Sequence, residues 1–311
     1  MRRTLLRKGK RRKIDSASAL RNGRKLPEDD QGMARIGSIV PTAGAPLIAA
    51  IVNATGDSFS EGAASSPADA AERALRLLDE GADMLDLGGE STRPGSAEVP
   101  PDEEERRILP VLEAVLRAKP DCVVSIDTRH AATARAALER GAAIINDVSM
   151  LRADPAMAAT VAEFGAGLVL CHSRGTPAEM QQPEFRIYPQ GVTAGVIAEL
   201  AAAAQQARAA GVKTIWYDPG FGFAKSVEDN FTLMREISAA SFPGPLYIGV
   251  SRKSFIGAAT GETLPARRLG GTLAAELFLA RRGAAVIRTH EPGPLRQALA
   301  VSRILEGGGN D

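Results

Sequence analysis

The sequence predicts an α/β chain that folds as a single (β/α)8 TIM barrel behind a disordered, basic N-terminal tail. Three observations carry that prediction. From about residue 46, short apolar runs rich in β-branched residues alternate with longer Ala-, Leu-, Glu- and Arg-rich segments of helical period, the pattern of βα units around a parallel sheet. The alternation repeats eight times in about 260 residues, the count and size of a closed barrel. Nearly every apolar run ends in a polar or ionisable residue, as barrel strands do on the face that carries the active site. A doubly wound open sheet would bring a Gly-x-Gly-x-x-Gly turn after its first strand, whereas this one runs into VNATGDSF.

The chain has 311 residues, 44% hydrophobic and 24% charged, an ordinary composition for a globular chain with a sizeable core. Its 38 basic and 37 acidic residues are unevenly spread. Residues 1–32 hold 11 basic and 4 acidic residues, leaving 27 and 33 for the remainder, so the body is mildly acidic. A nucleic-acid footprint over the folded part is therefore not expected, because phosphate binding needs a basic face. The tail is polar and lacks apolar periodicity, so it cannot offset the entropy of ordering. Residues 1–40 are read as that tail and residues 41–311 as the barrel domain. Cys122 and Cys171 stand alone in apolar stretches, outside any CxxC framework, which indicates a reducing, cytoplasmic setting. No window has the ~18 consecutive apolar residues of a membrane helix, and no signal-type apolar region follows the basic start.

The strands are expected at 46–53, 82–88, 122–127, 143–148, 167–172, 214–219, 245–251 and 284–290. Helices fill the gaps at about 67–80, 101–118, 129–140, 154–164, 190–210, 226–238, 265–282 and 293–305, several opened by Ser, Asp or Pro. Strand one ends in Asn53, and strand two leads into Glu90, Ser91, Thr92 and Arg93. Strand three ends in Asp127, strand four in Asn146 and Asp147, strand five in His172 and strand six in Asp218. Strand seven ends in Ser251, Arg252 and Lys253, and strand eight in Arg288 and His290.

Any one of these residues alone reads as a helix cap, a turn former or a salt-bridge partner. Their convergence on one face points instead to a lined pocket. Arg93, Arg252, Lys253, Arg288 and His290 suit an anion such as phosphate or pyrophosphate. Asp127, Asn146 and Asp218 suit the opposite task, accepting hydrogen bonds from the ring N–H and amino groups of a flat, guanine-like heterocycle. The loops TGDSFSEGA and GGESTRPGSAEVP are rich in Gly, Ser and Pro and read as lids. His130 opens a helix and is read as structural. No HExxH, clustered Cys/His spacing or P-loop is present.

These segments together resemble the dihydropteroate synthase family. The resemblance covers residues 46–305 through IVNATGDSFSEGA, DLGGESTRPGS, SIDTRHA, AAIINDVSM, LVLCHSRGTPAEMQ, YDPGFGFAKSVEDN, IGVSRKSFIG, GGTLAAEL and IRTHEPGPLRQAL, in family order. It implies a TIM barrel that condenses 6-hydroxymethyl-7,8-dihydropterin pyrophosphate with p-aminobenzoate and releases pyrophosphate. Carried over residue by residue, it implies that Asn53 helps hold a Mg²⁺ ion that bridges the pyrophosphate. Thr92, Arg93, Arg288 and His290 would bind the leaving group. Asp127, Asn146, Asp218 and Lys253 would hold the pterin, and Phe59, Pro94, Phe223 and Ser254 would form the p-aminobenzoate region. The catalytic set is then Asn53, Arg93, Lys253, Arg288 and His290. A homodimer and sulfonamide sensitivity are implied by the resemblance alone.

The chain departs from the family pattern in a few places. Gly56 replaces the proline of TPDSF, which should loosen the first loop. Cys171 and Ser173 stand where methionines are common, Ala224 interrupts GFGK, and Glu291 follows His290 in place of aspartate. None of these removes a residue assigned to charge or ring recognition. A methyltetrahydrofolate-dependent methyltransferase shares the barrel and pterin anchors but has no use for a pyrophosphate clamp. A catalytically silent pterin-binding paralogue would not need Asn53, Arg93, Lys253, Arg288 and His290 retained together.

Overall fold

The computed structural model describes residues 20–21, 24–25, 45–54, 66–91, 96 and 98–307. Eight parallel strands close into a barrel: β1 Leu47–Asn53, β2 Met84–Gly88, β3 Val123–Asp127, β4 Ile144–Asp147, β5 Gly167–Cys171, β6 Thr214–Asp218, β7 Leu246–Gly249 and β8 Ala284–Thr289. Each strand pairs with its neighbours in chain order, and β8 closes on β1 from Val286 opposite Leu47 to Thr289 opposite Ala50. All eight lie within two residues of the predicted strands.

The helices of the barrel layer are α1 Pro67–Asp79, α2 Pro101–Ala118, α3 Ala131–Leu138, α4 Met157–Glu163, α5 Val192–Ala209, α6 Val227–Glu236, α7 Ser254–Thr260, α8 Leu269–Arg281 and α9 Pro292–Leu305. Local chemistry sets their starts. Ser66 accepts from Asp69 N at 3.2 Å ahead of Pro67, and Ser226 forms a capping box with Asp229. The predicted run 265–282 divides into a 3-10 turn, Pro265–Arg267, and α8. α7 lies outside the predicted helices, because its short run SFIGAAT has Gly257 at its centre and no charged residue to mark a polar face. Among the described residues, no helix is long and apolar enough to cross a membrane. Within the basic tail, Leu20–Arg21 pairs antiparallel with Arg24–Lys25; the remainder of residues 1–44, on which the expectation of disorder falls, lies outside the described residues.

The strands' two-residue period separates two cores. Outward residues such as Ile48, Leu85, Ile126, Leu168 and Ile248 pack against the helices. Inward, each strand supplies a member of a plug: Ala49, Met84, Val123, Ile144, Val169, Trp216, Tyr247 and Val286. Gly167 belongs to this inner phase, and the plug explains it. A Cβ there would stand 2.5 Å from the Trp216 ring, so the missing side chain makes room for the largest one in the barrel.

Candidate functional site

The same inward phase, carried two or four residues past the plug, turns polar at the C-terminal mouth. Asn53, Asp86, Asp127, Asn146, Asp218 and Arg288 all follow plug residues by an even number and therefore point into the barrel. Asp86, Asp127, Asn146 and Asp218 are buried, and Asn53 and Arg288 are half-buried at the opening. Arg288 Nε donates to Asp86 Oδ2 at 2.5 Å, and Arg288 Nη2 donates to Asp127 Oδ2 at 2.7 Å. Asn146 Nδ2 donates to Asp86 Oδ2 at 3.1 Å. Asp86 was missed by the sequence reading, although a carboxylate two residues before Gly88 in an otherwise apolar strand was a signal in plain view.

Three oxygens in this cluster, Asp86 Oδ1, Asp127 Oδ1 and Asn146 Oδ1, are buried without a hydrogen-bond partner. Buried acceptors of this kind call for donors. Burial pushes the Asp127 carboxyl up to about 7, with Arg288 pulling it down and Asp86 pushing it up. Burial likewise pushes Asp218 up to about 6, against the Gly220 amide that donates to its Oδ1 at 2.8 Å. Against its own burial, Asp86 and Asp127 hold the Arg288 guanidinium firmly charged.

Lys253 follows β7 and caps α7. Its Nζ lies 4.0 Å from the centre of the Phe223 ring, a cation–π contact, and burial lowers its pKa. Ser254, the first residue of α7, is exposed beside it. His290 is half-buried, with Nδ1 2.9 Å from Ser251 Oγ. The structure thus brings Asn53, Asp127, Asn146, Asp218, Phe223, Lys253, Ser254, Arg288 and His290 to one mouth. Thr92, Arg93, Pro94, Phe59 and Gly56 lie outside the described residues.

Four residues grouped with the pocket in the sequence reading do different work. Asp147 and His172 are one step out of phase and face away from the barrel axis. Asp147 accepts from Ser149 N, Ser149 Oγ and Leu151 N, shaping a turn in which Met150 and Leu151 adopt positive φ. His172 is fully buried between Lys225 Nζ, 3.0 Å from its Nδ1, and Glu199 Oε2, 3.4 Å from its Nε2. Burial and the Lys225 charge bring its pKa down to about 3, which keeps the ring neutral. Arg252 spends its charge on Glu291, with Nε 3.0 Å from Oε1. Glu90 accepts from Arg129 at 2.8 and 3.1 Å.

Glu90, Glu104 and His130 place three ligand-type atoms within 4.8 Å of one another. Arg129 occupies both Glu90 oxygens, while Thr128 and His130 share Glu104 Oε2 at 2.7 and 3.1 Å. This is an ion-pair network, and its guanidinium would repel a cation. His130 belongs to it, in the structural role expected. At the mouth itself, Asn53 offers a side-chain amide oxygen of the hard-donor type that suits Mg²⁺.

The family model for pterin-binding enzymes matches residues 49–290. The dihydropteroate synthase of Neisseria meningitidis serogroup C is 42% identical over 268 residues, covering 84% of this chain and 93% of that protein. Among solved structures, the dihydropteroate synthase of Xanthomonas albilineans with 4-aminobenzoic acid superposes with a TM-score of 0.77 at 38% identity, covering 84% of this chain and 93% of that one. The same enzyme in complex with 7,8-dihydropteroate gives 0.75 at 36%, covering 86% and 95%. The fold, the polar mouth and these relatives agree: the chain belongs to the dihydropteroate synthase family of pterin-binding enzymes.

Proposed function

We propose that this chain condenses 6-hydroxymethyl-7,8-dihydropterin pyrophosphate with p-aminobenzoate, giving 7,8-dihydropteroate and pyrophosphate. The observation that carries this reading is the pair of unpartnered buried acceptors, Asp127 Oδ1 and Asn146 Oδ1, set beside the Arg288 cation. A pterin supplies ring N–H and amino donors to the first two, and its pyrophosphate supplies an anion to the third.

In this reading Asp127, Asn146 and Asp218 accept from the pterin edge, and Lys253 lies over the other end of the ring. Arg288 and His290 stabilise the negative charge that builds on the leaving oxygen, together with Thr92 and Arg93 of the second loop. Asn53 would hold Mg²⁺ on the pyrophosphate, where the ion supplies further neutralisation of that charge. The amine nitrogen of p-aminobenzoate bonds to the pterin methylene carbon as the carbon–oxygen bond to pyrophosphate breaks, and the nitrogen then loses a proton to solvent. An aromatic amine is already a competent nucleophile once oriented, so positioning by Phe223, Ser254, Phe59 and Pro94 contributes much of the rate.

A p-aminobenzoate-shaped sulfonamide would compete for the same wall. The half-buried Leu273, Leu277 and Phe278 on α8, with exposed Val301, Ile304 and Leu305 on α9, support a homodimer built on that side of the barrel. Two isolated cysteines and the absence of any disulfide among the described residues support a cytoplasmic setting.

The test is product identification. The purified chain, both substrates and Mg²⁺ should give a species with the mass of 7,8-dihydropteroate, and a mixture lacking p-aminobenzoate should not. Tight pterin binding without that product would overturn the reading in favour of a silent paralogue.

A further inference from the structure

We propose that Lys225 is a positioning residue for the second substrate: its ammonium, backed by His172 and Glu199, fixes the loop that holds Phe223 against Lys253. The inference rests on the reading above, in which Phe223 walls the p-aminobenzoate site.

Lys225 is buried, only 3% exposed. Its Nζ lies 3.0 Å from His172 Nδ1, 2.9 Å from the Gly220 carbonyl and 3.0 Å from the Phe223 carbonyl. An ammonium has three N–H donors, and all three are used. While Lys225, whose pKa burial brings down to about 7, carries its proton, His172 Nδ1 accepts and the ring proton sits on Nε2, facing Glu199 Oε2 at 3.4 Å. Glu199 is anchored in turn by Arg152 at 2.7 Å and by Arg174 at 2.9 Å through Nε, and these bonds hold it ionised despite burial. A chain of polar contacts therefore runs from α5 through the end of β5 to the loop after β6.

That loop needs holding. Gly220, Gly222 and Ala224 adopt φ of 65, 84 and 47°, an alternation of left-handed residues that makes no ladder. Gly220 cannot be otherwise, since a Cβ there would lie 1.8 Å from the His172 carbonyl oxygen. Other side chains tie the flanks: Asn230 Oδ1 accepts from Gly222 N at 2.6 Å, Gln181 Nε2 donates to Gly222 O at 3.1 Å, and Tyr188 Oη donates to Ala224 O at 3.1 Å. The carbonyl of Phe223 itself is held by Lys225.

The Phe223 side chain is half-buried: Lys253 lies over its ring, and a cavity of about 340 Å³, lined by Phe223, Phe185, Met180, Val148 and Arg152 among the described residues, opens next to it. A ring beside open space keeps its place through its backbone, and the Lys225 ammonium sets that backbone. Asp218 meets this loop through the Gly220 amide that donates to its Oδ1 at 2.8 Å, but its own backbone is held in β6 by pairing with β5, so the pterin side should feel the loss of the clamp less than Phe223 does.

The experiment is steady-state kinetics on the full chain with Lys225→Met, which keeps the length and removes the donors, and with Tyr188→Phe, which releases the same loop from outside. Lys225→Met should raise KM for p-aminobenzoate about tenfold or more and leave KM for the pterin substrate within about twofold; Tyr188→Phe should give the same split at roughly two- to threefold. Equal rises in both KM values, or an unchanged p-aminobenzoate KM, would overturn the proposal. If Lys225→Met shows no cooperative thermal transition, Tyr188→Phe decides, an unchanged p-aminobenzoate KM overturning it. A wild-type chain with no p-aminobenzoate-dependent turnover would remove the underlying reading, and the inference with it.

Discussion

Asp86 and Asp127 stand on neighbouring strands and share one guanidinium, Arg288 reaching Asp86 through Nε at 2.5 Å and Asp127 through Nη2 at 2.7 Å. One cation cannot neutralise two buried carboxylates. The imbalance falls on Asp127, whose carboxyl burial pushes up to about 7, with Asp86 adding to the rise and Arg288 opposing it.

This arrangement predicts an acid limb in the pH profile. Asp127 is ionised above about 7 and neutral below it, and the neutral acid is the poorer acceptor for a pterin N–H. In the free enzyme, kcat/KM for the pterin substrate should therefore fall as pH drops through 7. Asp86→Asn removes the negative neighbour while keeping size and an acceptor, so Asp127 becomes easier to ionise and the limb should move down by about one pH unit. A limb that stays in place or moves up would show that Asp86 does not act on Asp127.

Ala224 sits at φ 47° in the loop after β6, a conformation that a side chain disfavours. Ala224→Gly should relieve it and stabilise the protein by about 1 kcal/mol, raising Tm by roughly 2–4 °C. A fall in Tm on thermal melting would mean that loop contacts of the methyl group outweigh the backbone strain.

Glu276 on α8 is fully buried, and neither carboxyl oxygen has a partner of hydrogen-bond geometry. Burial pushes it up to about 8, the Thr289 hydroxyl offsetting little of the rise. Its folded pKa is above its unfolded value of about 4.5, so between those values the native state keeps a proton that the unfolded chain has lost. Wild-type stability should therefore decline across pH 4.5 to 8. Glu276→Gln is neutral throughout, so its Tm should gain on the wild type by several degrees between pH 5 and 8. A difference that stays flat with pH would contradict a protonated Glu276.

The barrel was legible because strand and helix periods alternate eight times, and the mouth was legible because Asn53, Asp127, Asn146, Asp218 and Arg288 close their strands in the inward phase. What could not be read was which end residues are out of phase by one. Asp147 and His172 belong to strand ends by position, and only the register shows that they face the helices. Asp86 was hidden for the converse reason, lying two residues inside an apolar strand. The partnership of His172 with Lys225 and Glu199 joins it to residues 53 and 27 positions away, a contact that only the closed barrel creates. Phe59, Thr92, Arg93 and Pro94 remain expectations drawn from the family motifs.

On the proposed reading, this mouth binds dihydropterin pyrophosphate and releases pyrophosphate only to an amine. The most direct measurement is pyrophosphate release by the purified chain with Mg²⁺, with and without p-aminobenzoate, beside Arg288→Ala. Release should depend on p-aminobenzoate and fall by about a hundredfold or more in the variant, on the order of 3 kcal/mol of lost charge stabilisation. Release that ignores p-aminobenzoate, or that survives the loss of Arg288, would contradict that reading.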